Sequence, residues 1–462
     1  MIDSENSLLI AFYGDDFTGS TDALESLSLA GIQTVLFIDP PTKSQLAKYD
    51  GLQAIGVAGM TRSMRPEQME ETLRKAYSEL LELNPRHVHY KVCSTFDSSP
   101  FIGSIGKALE TGARIFESTF VPVLVAAPTL GRYCVFGNLF ARMGIGSDGT
   151  IHRLDRHPSM INHPTTPSEE SDLRLHLQKQ TDKAIALVDI LQIERPAEET
   201  ELLVERLVEN GAEIVFFDAI YDSQIERIGG ILDAQATKKT PLFSVGSSGV
   251  GSALASFWKE KGLTTARKAQ ALRPSDSPIL VISGSCSPVT GGQIKAALAA
   301  GFAEIPVDPE VFESSEKYTS QKQDYVNMGR KYLNEGKNIL IHTSCGTGDE
   351  RLRRARKAFE IGGYKQSDSA YLYGTLLGQI VRELTAAANV KRIIIAGGDT
   401  SSYAARAMGI ESVEMISAFA PGAPLCRARA PGSPLDGLEL NFKGGQVGKP
   451  DYFIKASTGE QK

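Results

Sequence analysis

The sequence has only five cysteines among 462 residues, and none forms a CxxC pair: Cys93, Cys134, Cys286, Cys345 and Cys426 stand far apart. An odd, scattered set argues against a disulfide framework or a cysteine zinc site and suits a reducing cytoplasm. No apolar run is long enough for a membrane span, and the first residues, MIDSENSLLIAFYGDD, lack the basic n-region of a secretion signal. Positive charge is not in excess either. The 49 Lys+Arg against 55 Asp+Glu give a formal net charge of -6, which supplies no broad basic field for nucleic acid or an anionic membrane. A Walker A motif, GxxxxGK[ST], is missing, so a P-loop fold is not indicated. These absences lead to the expectation of a cytoplasmic protein whose partners are neither nucleic acid nor membrane.

Hydrophobic residues at 42% and charged residues at 23% are close to the globular average. Hydrophobic cores stop growing at roughly 250 to 300 residues, so two substantial domains are expected. Short apolar runs alternate with amphipathic stretches: LLIAFYG, TDALESLSLAG, TVLFID, then PEQMEETLRKAYSELLELN. That is the rhythm of βα units on a parallel sheet. Residues 185–190, 214–217 and 243–245 read as later strands of this kind, and the pattern lapses after Trp258. It resumes with PILVISG and a helix from Thr290, NILIHTS and a helix near Glu350, and RIIIAGGD and a helix from Ser402. The expected fold is α/β: two α/β domains with mostly parallel sheets, residues 1–265 and 278–462, joined by a linker at 266–277, with the active site in an inter-domain cleft. The stretch 144–171 is too rich in Pro, His and Gly for regular structure and reads as a functional loop or lid.

The first strand runs into Gly14, Asp15, Asp16, Phe17, Thr18, Gly19. Ligands of open parallel sheets bind at the carboxyl ends of the strands, so two adjacent acids there are placed to meet substrate hydroxyls, one of them as general base. The alternative is that one acid caps the following helix. Lys91, Ser94 and Thr95 follow a later strand and combine a positive charge with hydroxyls, a candidate anion site that ordinary turn chemistry also explains. Arg153 and Arg156 bracket Asp155; either guanidinium would grip a substrate carboxylate, or the pair only holds its loop. His152, His157 and His163 share that loop without any recognised metal-ligand spacing. Gly246 and Ser247 end a strand in a Gly-rich turn whose spacing is not GxGxxG, which makes it a substrate-edge loop and not a dinucleotide site.

In the second half, Ser285 and Ser287 follow one strand, and Gly397, Gly398, Asp399 and Thr400 follow another. Each is a strand, small-residue turn and helix start, an arrangement that offers backbone donors to phosphate. Asp399 is a candidate water-mediated ligand for Mg2+. Gly422, in PGAPLCR, and Gly444 and Gly445, in KGGQVG, are further candidates for lining a nucleotide, with Lys443 or Arg427 offsetting its charge, although each loop also reads as a plain turn. Cys286 and Cys426 have no neighbouring His in sequence and are poor candidates for nucleophiles.

Taken together, DDFTG with Asp22, GSCSPVT with Gln293, GGDTS, PGAPLCR and K-x-G-x-x-G before DYF resemble the four-carbon acid sugar kinase family, in the same order and over nearly the whole chain. The resemblance implies an N-terminal domain for the sugar acid and a C-terminal domain for ATP, with Mg2+ bridging the phosphates. It implies phosphoryl transfer to a hydroxyl of an acid such as threonate, erythronate or 3-oxo-tetronate. It places Asp15 and Asp16 in the substrate site, and Ser285, Ser287, 397–400 and 444–448 around the nucleotide. One departure stands out. Many relatives carry an acid-Ser-Thr-Leu-Arg-Gly run shortly after the lysine, whereas this chain reads Lys91, Val92, Cys93, Ser94, Thr95, Phe96, Asp97 and lacks the arginine. Arg153 or Arg156 is expected to supply the missing cation. Rival readings are a nucleotide-dependent oxidoreductase, which needs a better GxGxxG and a ribose-binding acid, and a non-catalytic acid-sugar sensor, which the acid pair and the glycine turns disfavour. A homo-oligomer is compatible with all three.

Overall fold

The computed structural model describes residues 8–144, 149–162, 166–237, 240–264 and 270–459. The chain divides into two compact units, Met1–Lys268 and Ala269–Lys462.

The first unit is built on strands β1 (Ile10–Gly14), β2 (Thr34–Phe37), β3 (Ala54–Ala58), β4 (His87–Lys91), β5 (Val121–Leu124), β9 (Ile185–Val188), β10 (Ile214–Phe217) and β11 (Leu242–Gly246). They form a parallel sheet in the order β2-β3-β1-β4-β11-β5-β10-β9. The central strands are covered on both faces, which is why IAFYG and HVHYK are buried throughout. A separate antiparallel sheet holds β6 (Arg132–Val135), β7 (Asn138–Arg142) and β8 (Ile151–Arg153). At the amino-terminal side of β4, Asp233 accepts hydrogen bonds from Arg86 Nε (2.8 Å), His87 Nε2 (3.1 Å) and Trp258 Nε1 (3.0 Å). Burial raises the cost of its charge, but these donors win and hold the carboxyl well below its usual range.

The second unit has β12 (Leu280–Ser283), β13 (Ala303–Pro306), β14 (Ile339–His342), β15 (Arg392–Ala396), β16 (Ser412–Ala420), β17 (Ala423–Arg429) and β18 (Glu439–Lys443). Strands β13-β14-β12-β15-β18 are parallel in that order, and β17 and β16 continue as an antiparallel edge. The β-branched runs LVIS, ILIH and RIIIA are the buried centre, packed by Ile294, Ala297 and Phe453 from flanking helices.

The structure corrects three expectations. The stretch 144–171 contains regular structure where it is described, because β8 pairs with β7 and a 3-10 turn, Leu154–Arg156, follows it. Ile190 is not in a strand: Asp189 caps a short helix that begins there, accepting from the amides of Leu191 and Gln192. The helix expected from Ser402 begins at Gly398, so the GGD turn is itself the helix start. Residues 270–279 have neither helix nor strand, and Arg392 and Ser457 fasten them to the second unit through Arg273 and Ser275. Among the described residues no helix is long and apolar enough to cross a membrane.

Candidate active site

Strand β1 lies between β3 and β4, so their three carboxyl ends deliver side chains to one edge. Asp15 and Asp16 leave β1, Arg62 follows β3 in a 3-10 turn (Thr61–Ser63), and Lys91 ends β4. Arg62 holds both acids. Its Nε and Nη2 donate to Asp15 Oδ2 (3.0 Å) and Oδ1 (2.8 Å), and its Nη1 donates to Asp16 Oδ2 (2.7 Å). Asp15 is almost completely buried, and burial raises its pKa against the opposing pull of Arg62. Asp16 is the cap of the helix Phe17–Leu29: Oδ1 accepts from Gly19 N at 2.6 Å, while Oδ2 also accepts from Thr18 Oγ1 at 3.1 Å. A carboxylate offers about four acceptor positions. Among the described residues three are used in Asp16, which leaves one for a ligand. Capping and ligand binding are therefore compatible in this residue. Lys91 is buried, donates to Val92 O (3.1 Å) and pairs with Asp22 Oδ2 (3.4 Å).

The other residues singled out in this unit divide by what they touch. Thr95 Oγ1 lies 2.9 Å from Cys93 Sγ, and with Ser94 it forms the turn that brings Phe96 N to Cys93 O. Ser247 caps the helix Ser248–Glu260 by accepting from Gly249 N, and a side chain at Gly246 would strike Leu124 O at 2.0 Å; both positions are occupied with building the turn. Arg153 donates twice to Asp155 (2.7 and 2.6 Å), and Arg156 Nη1 donates to Asp155 O and Oδ2. Both guanidinium groups are thus turned onto their own loop. The rings of His152 and His157 are 5.7 Å apart, and His163 lies outside the described residues. Arg62 is what sequence reading missed. Its only signal is position, one turn beyond an apolar run that reads as a strand.

In the second unit β12, β15 and β18 are neighbours, and their carboxyl ends bring three loops together. Gly284 N donates to Ala396 O (3.0 Å) and Gly397 N to Lys443 O (2.9 Å). The approach is so close that a Cβ on Gly284 would lie 2.4 Å from Thr400 Oγ1, and one on Gly445 2.8 Å from Ser285 Oγ. Ser287 caps the helix Pro288–Ala299, whereas the helix Gly398–Met408 starts at Gly397 with no side-chain cap among the described residues, a helix start of the kind that accepts phosphate. Asp399 is exposed in that first turn. Gly444 follows β18 directly, and Gly422 is in the two-residue turn joining β16 and β17, at the end of β17 nearest the carboxyl end of β18.

Lys443 is fully buried at this edge. Its Nζ donates to Thr290 Oγ1 (3.0 Å) and faces the rings of Tyr452 and Phe453 at 5.6 and 5.9 Å; burial lowers its pKa to about 7. No carboxylate is paired with it among the described residues. Arg427, in contrast, stands opposite Glu439 at the far end of β18 and is exposed, so it does not share this edge. Gln293, three residues beyond GSCSPVT, donates to the carbonyls of Val447, Gly448 and Lys449, tying two of the motif regions together. A trio not anticipated from sequence, Glu304, His342 and Cys345, brings ligand atoms within 4.8 Å of one another. Arg351 Nη2 sits 3.1 Å from His342 Nδ1 in the same group, which opposes a cation there.

One edge is dense in paired charges, which suits a polyhydroxy ligand, and the other is made of glycine turns around a lysine, which suits a phosphate-bearing one. Comparison with known proteins agrees. Residues 10–254 match a sugar-binding N-terminal domain and residues 280–453 a nucleotide-binding C-terminal domain. The chain belongs to the four-carbon acid sugar kinase family and is a phosphotransferase with an alcohol group as acceptor. It is 36% identical to a 3-oxo-isoapionate kinase of Paraburkholderia graminis, over 96% of this chain and 93% of that one. A 3-oxo-tetronate kinase of Methylobacterium radiotolerans is 29% identical over 97% and 99%. The fold is that of a Haemophilus influenzae protein of family DUF1537, with a TM-score of 0.70, 24% identity and coverage of 96% and 98%.

Proposed function

We propose that this kinase transfers the γ-phosphoryl group of ATP to a hydroxyl of a small 3-oxo sugar acid of about four carbons, 3-oxo-tetronate or a close relative. The observation that carries the reading is the remaining acceptor position on Asp16, in a carboxylate pair held rigid by Arg62. The 3-oxo acids in the names of the two relatives support this choice over threonate or erythronate.

Asp16 accepts the proton of the attacking hydroxyl, and Asp15 fixes Arg62 so that Asp16 keeps its orientation. Lys91 with Asp22 borders the same cluster. Phosphoryl transfer demands mainly alignment and charge stabilisation. Backbone amides from Gly398 to Thr400, with Ser285, Ser287, Gly444 and Gly445 close by, hold the phosphates, and Lys443 meets their charge; the Gly397 amide is already given to Lys443 O and shapes the turn. Asp399, an exposed single carboxylate in the first turn of its helix, fits water-mediated Mg2+, which usually takes one or two carboxylates and the phosphates themselves. When bound, the ion neutralises phosphate charge.

The test is ADP release with Mg-ATP over 3-oxo-tetronate, 3-oxo-isoapionate, threonate and erythronate. Turnover with the 3-oxo acids at least tenfold above the others is expected. Equal or preferred use of threonate or erythronate overturns the 3-oxo assignment.

A further inference from the structure

Outside the Asp15–Asp16 cluster, Arg132 Nε, His157 Nε2 and Asp97 Oδ1 are buried atoms of the first unit with no hydrogen-bond partner among the described residues. Each belongs to a residue that the chemistry above leaves unused. Arg132 opens β6, just past the carboxyl end of β5. Its Nη1 donates to the carbonyls of Leu130 (3.0 Å), Gly131 (3.3 Å) and Arg142 (3.3 Å). Those bonds pin the guanidinium by one nitrogen and leave its Nε and Nη2 edge unused among the described residues. That edge is the one arginine uses to grip a carboxylate in two places.

His157 is 6% exposed. Its Nδ1 accepts from Ser159 N at 3.3 Å, so the neutral ring carries its proton on Nε2. Burial, then the charges of Arg132 and His152, hold its pKa below the usual imidazole value, which keeps it neutral and makes Nε2 a donor without an acceptor. Asp97 acts electrostatically on Arg132 yet makes no ion pair with it, so the guanidinium is not already neutralised. Arg132, Ala141 and His152 stand side by side across β6, β7 and β8, the His152 ring lies 5.7 Å from that of His157, and β5 shares its carboxyl edge with β11, β4 and β1. Arg153 spends its Nε and Nη2 edge on Asp155, and Arg156, held to Asp155 by Nη1, is exposed and not buried beside this group.

We infer that Arg132, His157 and Asp97 form the acid-end subsite of the substrate, Arg132 binding the carboxylate in two places, His157 Nε2 donating to a carboxylate or adjacent oxo oxygen, and Asp97 accepting from a hydroxyl. The inference rests on the sugar-acid kinase reading and gives it the cation that the 91–99 segment lacks. The anchor comes from β6, about forty residues further along the chain, and it selects acids over neutral polyols.

The experiment compares wild type, R132K and H157Q with a sugar acid that wild type phosphorylates and with the primary amide of that acid, following KM for ATP and thermal melting alongside. Lysine keeps the charge but not the fork. For R132K, kcat/KM for the acid is expected to fall about 100-fold, mostly through KM, and that for the amide less than about fivefold, with ATP KM unchanged. H157Q is expected to lose about tenfold on the acid. If wild type uses sugar acids and R132K retains its preference for acid over amide, the acid-end assignment is overturned while the kinase reading stands. If R132K does not melt as a folded protein, an unchanged preference in H157Q overturns it instead. If wild type phosphorylates no sugar acid, the functional reading falls, and this inference falls with it.

Discussion

The carboxyl edge of the first unit is lined by charged side chains packed on one another, and that of the second by glycines and hydroxyls around a single lysine. Asp15, Asp16 and Asp22 face Arg62 and Lys91, so each charge is held in place by an opposite one and the group keeps a net charge of one negative. Such a cluster is oriented before a ligand arrives, as the proposed recognition of substrate hydroxyls requires. The second edge presents amides and one cation that has a hydroxyl for a partner and no carboxylate among the described residues. In the proposed function a phosphate binds there through backbone that any sequence can offer, provided glycine allows the approach. The two edges should therefore fail differently when disturbed.

The largest effect is expected from D16N. Asparagine is as good a helix cap as aspartate and its Oδ1 still accepts from Gly19 N, so the fold survives while the basic oxygen is lost. Turnover is expected to fall about 1000-fold with ATP KM within about twofold, by steady-state kinetics. A loss below tenfold would remove Asp16 from the reaction. K443M comes next, with nucleotide affinity reduced about 100-fold by calorimetry. It also carries a pH signature. Lys443 has a folded pKa of about 7 against an ordinary 10.5, so between those values the unfolded chain holds a proton that the folded one has given up. Wild-type stability then rises with pH from about 7 to 10.5, by up to about 1.4 kcal/mol per pH unit, and below 7 the full penalty remains. K443M should be flatter across that window and melt higher than wild type at pH 7. Nucleotide binding at pH 8 should draw a proton onto Lys443, seen as a buffer-dependent binding enthalpy.

How far these edges were legible depended on whether their parts are local in sequence. The glycine turns of the second unit announce themselves because strand, small residues and helix start are contiguous, as in RIIIAGGDTSS. Asp15 and Asp16 were visible for the same reason. Arg62 was not, because its meaning comes from β3 lying beside β1, which brings it to Asp15, 47 positions away in the chain. Arg132 was hidden likewise, since only burial distinguishes it from any arginine after a glycine. Arg153 and Arg156 caught attention by spacing, but an aspartate between two arginines is as readily a local clamp as an open binding site, and side-chain geometry alone separates the two. The helix at Gly398 began four residues before its apolar periodicity, because its first turn is shaped by contact with the neighbouring loops and not by burial of large side chains.

G284A tests whether the second edge depends on backbone approach. The added methyl would meet Thr400 Oγ1 at 2.4 Å and Cγ2 at 2.7 Å, so Thr400 must shift away from the turn. Nucleotide affinity is expected to drop about tenfold with sugar-acid binding unchanged, measured by separate titrations of each ligand. Equal losses for both ligands would mean that the substitution disturbs more than the phosphate turn.

The smallest effect is expected from R153Q. Its guanidinium holds Asp155 below the usual carboxylate range and is half-exposed, and solvent screening leaves pairs of that kind little weight in stability. Arg156 stays on the same carboxylate, so the loop keeps one cation and Asp155 keeps a partner. kcat/KM for the sugar acid should remain within about threefold of wild type, and the melting temperature should barely move. The contrast with R132K is the informative one, because both substitutions remove an arginine fork from the first unit and only one of those forks has an open edge. A loss at Arg153 as large as that expected at Arg132 would mean that the Asp155 clamp opens when substrate binds, and that charge on the 151–156 segment belongs with the charged edge of β1, β3 and β4.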